Sequence, residues 1–130
     1  MELWQVHATL QTTGLALLVA GMVVARVTKG KPGWLKKHHA VVGSGVALLA
    51  TGVVVSTYMV QASGGPHFRV DHPYYALIVF ALLVVNPLLG KLIPKKPKVR
   101  QVHRWLGPVL AFFVLFTMWA GLEAAGVIPD

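Results

Sequence analysis

Histidine is the residue type in this sequence with the clearest capacity for chemistry, because its imidazole binds metals and carries protons near neutral pH. Six histidines occur, at positions 7, 38, 39, 67, 72 and 103, and the chain contains no cysteine. Without cysteine there are no disulfides, iron–sulfur clusters, thiolate zinc sites or covalently attached c-type haem. A metal in this protein would therefore be bound by histidine, methionine or oxygen atoms.

The segments that must position these histidines are long and apolar. Hydrophobic residues make up 55% of the chain, which is not typical of a soluble domain. Four segments have the ~20 residues that a helix needs to cross a bilayer: residues 3–25, 40–61, 73–90 and 105–122. Because their connectors are short and rich in glycine and proline, we predict a single domain over residues 1–130. Its fold class is an all-α integral membrane protein, an up-down-up-down four-helix transmembrane bundle.

The charged residues predict an orientation in the cell membrane. The net charge is +8, with 12 Lys and Arg against 4 Asp and Glu. Nucleic-acid binding would need a basic face on a soluble fold, so we expect no nucleic-acid partner. Eleven of the 12 basic residues belong to the first and third connectors, which places those connectors in the cytoplasm and both termini outside.

Four histidines begin the four spans at near-constant intervals of 32, 33 and 31 residues: His7, His39, His72 and His103. In the predicted topology His7 and His72 share the outer level, whereas His39 and His103 share the inner level. Two facing imidazoles, with no thiolate partner, are suited to the axial positions of a haem iron. A structural zinc ion would need three or four ligands. We therefore predict two b haems; the alternative is that the histidines only lie at the membrane surface, which does not explain one histidine per helix at a near-constant interval.

The inner ligand of the second span has two candidates. His39 and His103 are each followed by glycine four residues later, at Gly43 and Gly107, and this shared His-x3-Gly spacing favours His39 over its neighbour His38. The two neighbours point roughly 100° apart on a helix. The choice between them stays open.

The outer ligand of the third span also has two candidates. His72 directly precedes Pro73, which suits the first turn of a helix, and this favours it over His67. The choice between His67 and His72 likewise stays open.

Small and basic residues near the histidines are candidates for further haem contacts. Glycines at helical spacings would make room for a planar macrocycle, although the same glycines also allow close helix packing in membranes. Cations near the surface suit the haem propionates, although they also set the membrane orientation. These candidate cofactor-binding residues are Gly14, Gly43, Gly107, Arg69, Lys37 and Arg104.

This pattern of histidines, with its two His-x3-Gly starts, resembles the four-helix core of the cytochrome b561 family over nearly the whole chain. The resemblance implies two b haems, one held by His7 and His72 and the other by His39 and His103. It also implies electron transport across the membrane and a transmembrane oxidoreductase activity. The chain lacks the extra flanking helices of six-helix members, so the family's ascorbate and ferric-chelate pockets have no counterpart that can be mapped here.

Several alternatives remain for the function and the partners. Besides the lipid bilayer, electron transfer requires a donor and an acceptor, for which a quinol, an ascorbate-like reductant or a redox protein would each serve. The chain could act alone, as a homodimer, or as the haem-binding membrane anchor of a larger redox complex. Two alternatives without haem are a four-helix scaffold and a metal-ion carrier that uses His67 with His72 and His38 with His39.

Overall fold

The computed structural model describes residues 2–65 and 71–128, and these residues form four α-helices and no strand. The helices are α1 (Leu3–Thr28), α2 (Trp34–Ser63), α3 (His72–Leu92) and α4 (Val99–Ala124). By length and composition each helix can cross a membrane. The protein is therefore an all-α, multi-pass membrane protein, and the four predicted spans are confirmed.

Two of the helices begin earlier than the apolar segments that predicted them. α2 begins at Trp34 and α4 at Val99, each six residues before the corresponding apolar segment. Lysine and arginine are good helix formers, so the helix continues through charged residues that a hydropathy pattern leaves out. Gly33, with a positive φ of 73°, precedes α2 and stops it from extending further. As a result His38 and His103 each become the fifth residue of their helix.

Most serine and threonine hydroxyls within the helices are hydrogen-bonded to their own helix. Thr12 donates to the Ala8 carbonyl at 2.8 Å, and Thr51 donates to the Ala47 carbonyl at 2.8 Å. In an apolar surrounding an unpaired hydroxyl would be costly, and this local bond removes the cost. The hydroxyls therefore do not interrupt the spans.

The helices pack as two compact units, a first hairpin of α1 and α2 and a second hairpin of α3 and α4. In the first hairpin the backbones meet directly: a Cβ added to Gly14 would lie 3.0 Å from the Gly45 carbonyl oxygen. In the second hairpin large side chains fill the seam between the helices, among them the buried Leu83 and Val114. Small residues let membrane helices approach closely, whereas larger ones pack by side-chain contact.

The two hairpins repeat one structural plan at an offset of 65 residues. Five of the seven buried residues in the first hairpin correspond to buried residues of the second. The sequence Ala-Leu-Leu-Val at 16–19 recurs at 81–84, and Lys-Pro at 31–32 recurs at 96–97. Each hairpin can therefore serve as a reference for the other.

Candidate functional site

In the first hairpin one histidine of each helix reaches across to the other helix. His7 of α1 donates a hydrogen bond from Nδ1 to the Gly52 carbonyl of α2 at 2.8 Å. His38 of α2 donates from Nδ1 to the Gly21 carbonyl of α1 at 2.9 Å. Since a carbonyl oxygen can only accept, Nδ1 must carry the proton in both imidazoles.

The second hairpin contains the same pair of bonds. His72 of α3 donates from Nδ1 to the Thr117 carbonyl of α4 at 2.8 Å. His103 of α4 donates from Nδ1 to the Asn86 carbonyl of α3 at 2.9 Å. All four histidines are half-buried.

The four bonds follow one register. In both hairpins the first donor and its acceptor are 45 residues apart, and the second donor and its acceptor are 17 residues apart. Every one of the eight positions in these bonds matches its counterpart at the offset of 65 residues. We refer to the four donors, His7, His38, His72 and His103, as the interhelical histidines.

The hydrogen bonds determine what the interhelical histidines can do chemically. A neutral imidazole with its proton on Nδ1 has a lone pair on Nε2, which is the atom that coordinates a metal. Metal-binding histidines commonly donate their other ring N–H to a backbone carbonyl, which fixes the tautomer and the ring orientation. Each of the four imidazoles therefore has the tautomer and the backbone partner that are common for a metal-binding histidine.

Two glycines of the second hairpin make room for its imidazole rings. A Cβ added to Gly121 of α4 would lie 2.9 Å from Cε1 of His72, and one added to Gly90 of α3 would lie 3.1 Å from Cε1 of His103. Even a methyl group there would push against the ring. The sequence alone does not identify Gly90, because this glycine lies on a different helix from the histidine that it accommodates.

The structure brings His38, and not His39, to the neighbouring helix. His39 is exposed, its ring centroid is 5.8 Å from that of His38, and its counterpart in the second hairpin is Arg104. The His-x3-Gly spacing favoured His39, but a Cβ on Gly43 would meet nothing within 4 Å, so this glycine does not mark the packed face. The sequence signal that does identify His38 is the offset of 65 residues that pairs it with His103.

The remaining predicted contact residues lie in varied surroundings. Gly14 packs against Leu49 and Gly45 in the seam of the first hairpin, as the helix-packing alternative expected. Gly107 is half-buried on α4, and the structure leaves two basic candidates exposed, Lys37 and Arg104.

Two sequence candidates, His67 and Arg69, lie outside the described residues. In the described part of the chain, His72 is the candidate outer ligand of the third span, and it makes the interhelical bond to Thr117. Within residues 2–65 and 71–128, no group of three or more histidine, aspartate or glutamate side chains is placed to hold a metal ion.

Comparisons with models of protein families, with curated proteins and with solved structures find no match to this chain.

Proposed function

We propose that this protein is a di-haem b-type cytochrome that carries electrons across the membrane. The observation that supports this best is the Nδ1–carbonyl hydrogen bond made four times in one register. Such a bond puts the ring proton on Nδ1, so that Nε2 would be the coordinating atom, and it orients the ring. A histidine that only anchors a helix at the membrane surface would not need a fixed tautomer.

The outer haem is assigned to His7 and His72 and the inner haem to His38 and His103. These pairs join histidines at equivalent positions of the two hairpins, and in the predicted up-down-up-down topology the members of each pair share one level. His38 replaces His39 in the inner pair because only His38 makes the interhelical bond.

The distance between the two levels of histidine bonds suits electron transfer from one face of the membrane to the other. Gly21, which accepts from His38, lies fourteen residues after His7 in α1, and Asn86 lies fourteen residues after His72 in α3. At 1.5 Å per residue this separates the two levels of each hairpin by about 21 Å. That distance is a large part of a hydrocarbon layer of about 30 Å.

Bound b haem would supply a reversible one-electron couple at each level. The interhelical histidines would hold the two haems, two imidazoles for each, and their bonds to backbone carbonyls would keep these imidazoles oriented. Lys37 and Arg104 lie next to the inner histidines and provide positive charge for propionates at the cytoplasmic side. Both termini are then outside, as the basic connectors predict.

The proposed activity requires a donor and an acceptor at opposite faces. A quinol, an ascorbate-like reductant or a redox protein would each serve as a partner. The same four histidines would also suit a haem-binding anchor of a larger redox complex. Co-purification of a second subunit with the native protein would identify the anchor role.

The test is a haem-to-protein ratio, measured by pyridine haemochrome on detergent-purified protein with a reduced-minus-oxidised spectrum. We expect two b haems in the wild-type chain. His38→Ala is expected to lose one of them. His39→Ala is the matched control, since it removes a neighbouring imidazole that does not reach α1, and it is expected to retain both.

Two results would contradict the proposal. A colourless protein after expression with added haem would favour the scaffold or metal-carrier alternatives. Loss of a haem in His39→Ala but not in His38→Ala would show that His39, which the His-x3-Gly spacing favoured, is the ligand.

A further inference from the structure

The second hairpin has a cavity of about 340 Å³ at the end where α3 begins and α4 ends. It opens beside one of the interhelical histidines and is lined by aromatic and acidic side chains. The residues that matter for its chemistry are Asp71, His72, Tyr75, Phe116, Trp119 and Glu123.

Aromatic rings form much of the cavity wall. Tyr75 and Phe116 meet edge to face with their ring centroids 4.8 Å apart. The Trp119 indole donates from Nε1 to Oε1 of Glu123 at 2.6 Å, which ties this ring to the acidic side chain. Aromatic faces carry partial negative charge and attract cations, with Trp the most effective ring.

Two carboxylates add full negative charge to the same cavity. Asp71 and Glu123 are two of only four acidic residues in a chain of net charge +8. Half of the acidic residues of a basic protein therefore converge on one aromatic cavity, where a cation would be attracted by both groups.

The internal repeat is broken at this cavity. The positions that correspond to its aromatic and acidic residues in the first hairpin are Val6, Leu10, Thr51, Val54 and Tyr58. The first hairpin makes the same histidine bonds without any of these side chains being acidic. The aromatic and acidic lining is therefore not required to build the hairpin, and it is an addition specific to the second one.

We propose that this cavity binds a small organic cation through an alkylammonium group. The cationic group would lie against the faces of Phe116 and Trp119, with Asp71 and Glu123 balancing its charge. The proposal rests on the cavity lining and on the broken repeat; because His72 also lines the cavity, the cation is titrated into haem-free as well as haem-loaded protein. The alkylammonium group could belong to a soluble amine or to the headgroup of a lipid in the outer leaflet.

The test is calorimetric titration of the purified protein with choline chloride in a non-ionic detergent. The uncharged isostere 3,3-dimethylbutan-1-ol, titrated at matched ionic strength, measures binding by shape alone. We expect choline to bind at least about fivefold more tightly than the isostere, the effect of a cation–π contact of about 1 kcal/mol. Equal binding of the two, or no binding of choline, would overturn the proposal.

Two variants locate the binding site. Glu123→Gln and Asp71→Asn keep the side-chain shapes and should each weaken choline binding by about threefold or more, since each removes one attracting charge. Glu2→Gln is the matched control, because it removes an acidic residue of the first hairpin that does not line the cavity. Unchanged binding in both cavity variants would exclude this site. Their haem content is expected to equal that of the wild type, so this outcome is separable from a failure of the proposed function.

Lipid nanodiscs distinguish the source of the cation. In discs of phosphatidylcholine a lipid headgroup would compete, so choline should bind more weakly than in discs of phosphatidylglycerol. Equal affinity in both discs would assign the cavity to a soluble amine.

Discussion

In the first hairpin α1 and α2 meet at glycines, whereas in the second hairpin α3 and α4 meet at leucine and valine, although both keep the same histidine bonds. Gly45 corresponds to Leu110, and Gly14 corresponds to Val79. The bond lengths nevertheless agree, at 2.8 Å for one level and 2.9 Å for the other in both hairpins. The packing of the seam thus varies while the placement of the imidazoles does not.

Glycine has a different structural role in each hairpin. In the first it lies in the helix seam, where a Cβ on Gly45 would meet the Gly14 backbone. In the second it lies against the imidazoles, at Gly90 and Gly121, and the corresponding positions of the first hairpin hold Ala25 and Ser56. The comparison indicates that the register of the histidine bonds is the shared requirement, and that each hairpin meets it with its own packing.

The largest loss of stability is expected from Gly45→Leu, which gives the first hairpin the leucine that the second hairpin has at the corresponding position, Leu110. In Gly45→Leu the new Cβ would lie 2.9 Å from the Gly14 carbonyl oxygen and 3.1 Å from the Leu18 amide nitrogen. Because both are backbone atoms, the helices must separate, at a cost of about 3 kcal/mol in unfolding free energy. Thermal unfolding in detergent, followed by circular dichroism, measures the loss. Gly43→Leu is the control, with open space around its Cβ, and equal losses in the two variants would contradict the direct backbone contact.

An intermediate effect is expected from a methyl group placed against the His72 imidazole of the second hairpin. In Gly121→Ala the Cβ would lie 2.9 Å from Cε1 of His72, so the ring must move and its bond to Thr117 weakens. Disturbing the hydrogen-bond partner of a metal ligand lowers metal affinity roughly 10- to 100-fold. Titration of haem into the haem-free variant would measure this loss at one of the two sites. Ser56→Ala, at the matching position of the first hairpin, should bind haem normally; unchanged haem affinity in Gly121→Ala would argue against His72 as a ligand.

The smallest effect is expected at Asn86, which occupies the position of the second hairpin that corresponds to Gly21 in the first. Asn86 accepts from His103 through its backbone carbonyl, while its side-chain Oδ1 is buried with no hydrogen-bond partner in the described part of the chain. Asn86→Ala removes no side-chain hydrogen bond, so we expect the unfolding free energy to change by less than about 1 kcal/mol. The haem content should stay at its wild-type value. A clear loss of haem would show that the amide, and not only the carbonyl, supports the inner site.

Local properties of the sequence were enough to predict the helices. Hydropathy and segment length are read directly from neighbouring residues, and the four helices occur where the four apolar segments predicted them. The starts of α2 and α4 were misplaced by six residues, because helix formation continues through lysine and arginine while apolar content does not. Three of the four interhelical histidines were also identified this way, since each stands near the start of a span.

The choice between His38 and His39 was a tertiary question. Adjacent helical residues differ by about 100° in direction, and only the position of α1 shows which of the two reaches a carbonyl. The same holds for Gly90, whose role depends on a ring supplied by another helix. The sequence by itself determined the residue types, the four spans and the regular spacing of the histidines, because these are properties of the chain read in order. The tertiary structure decided which imidazole meets which carbonyl and where a cavity forms, because both depend on distances between helices that lie far apart in the sequence.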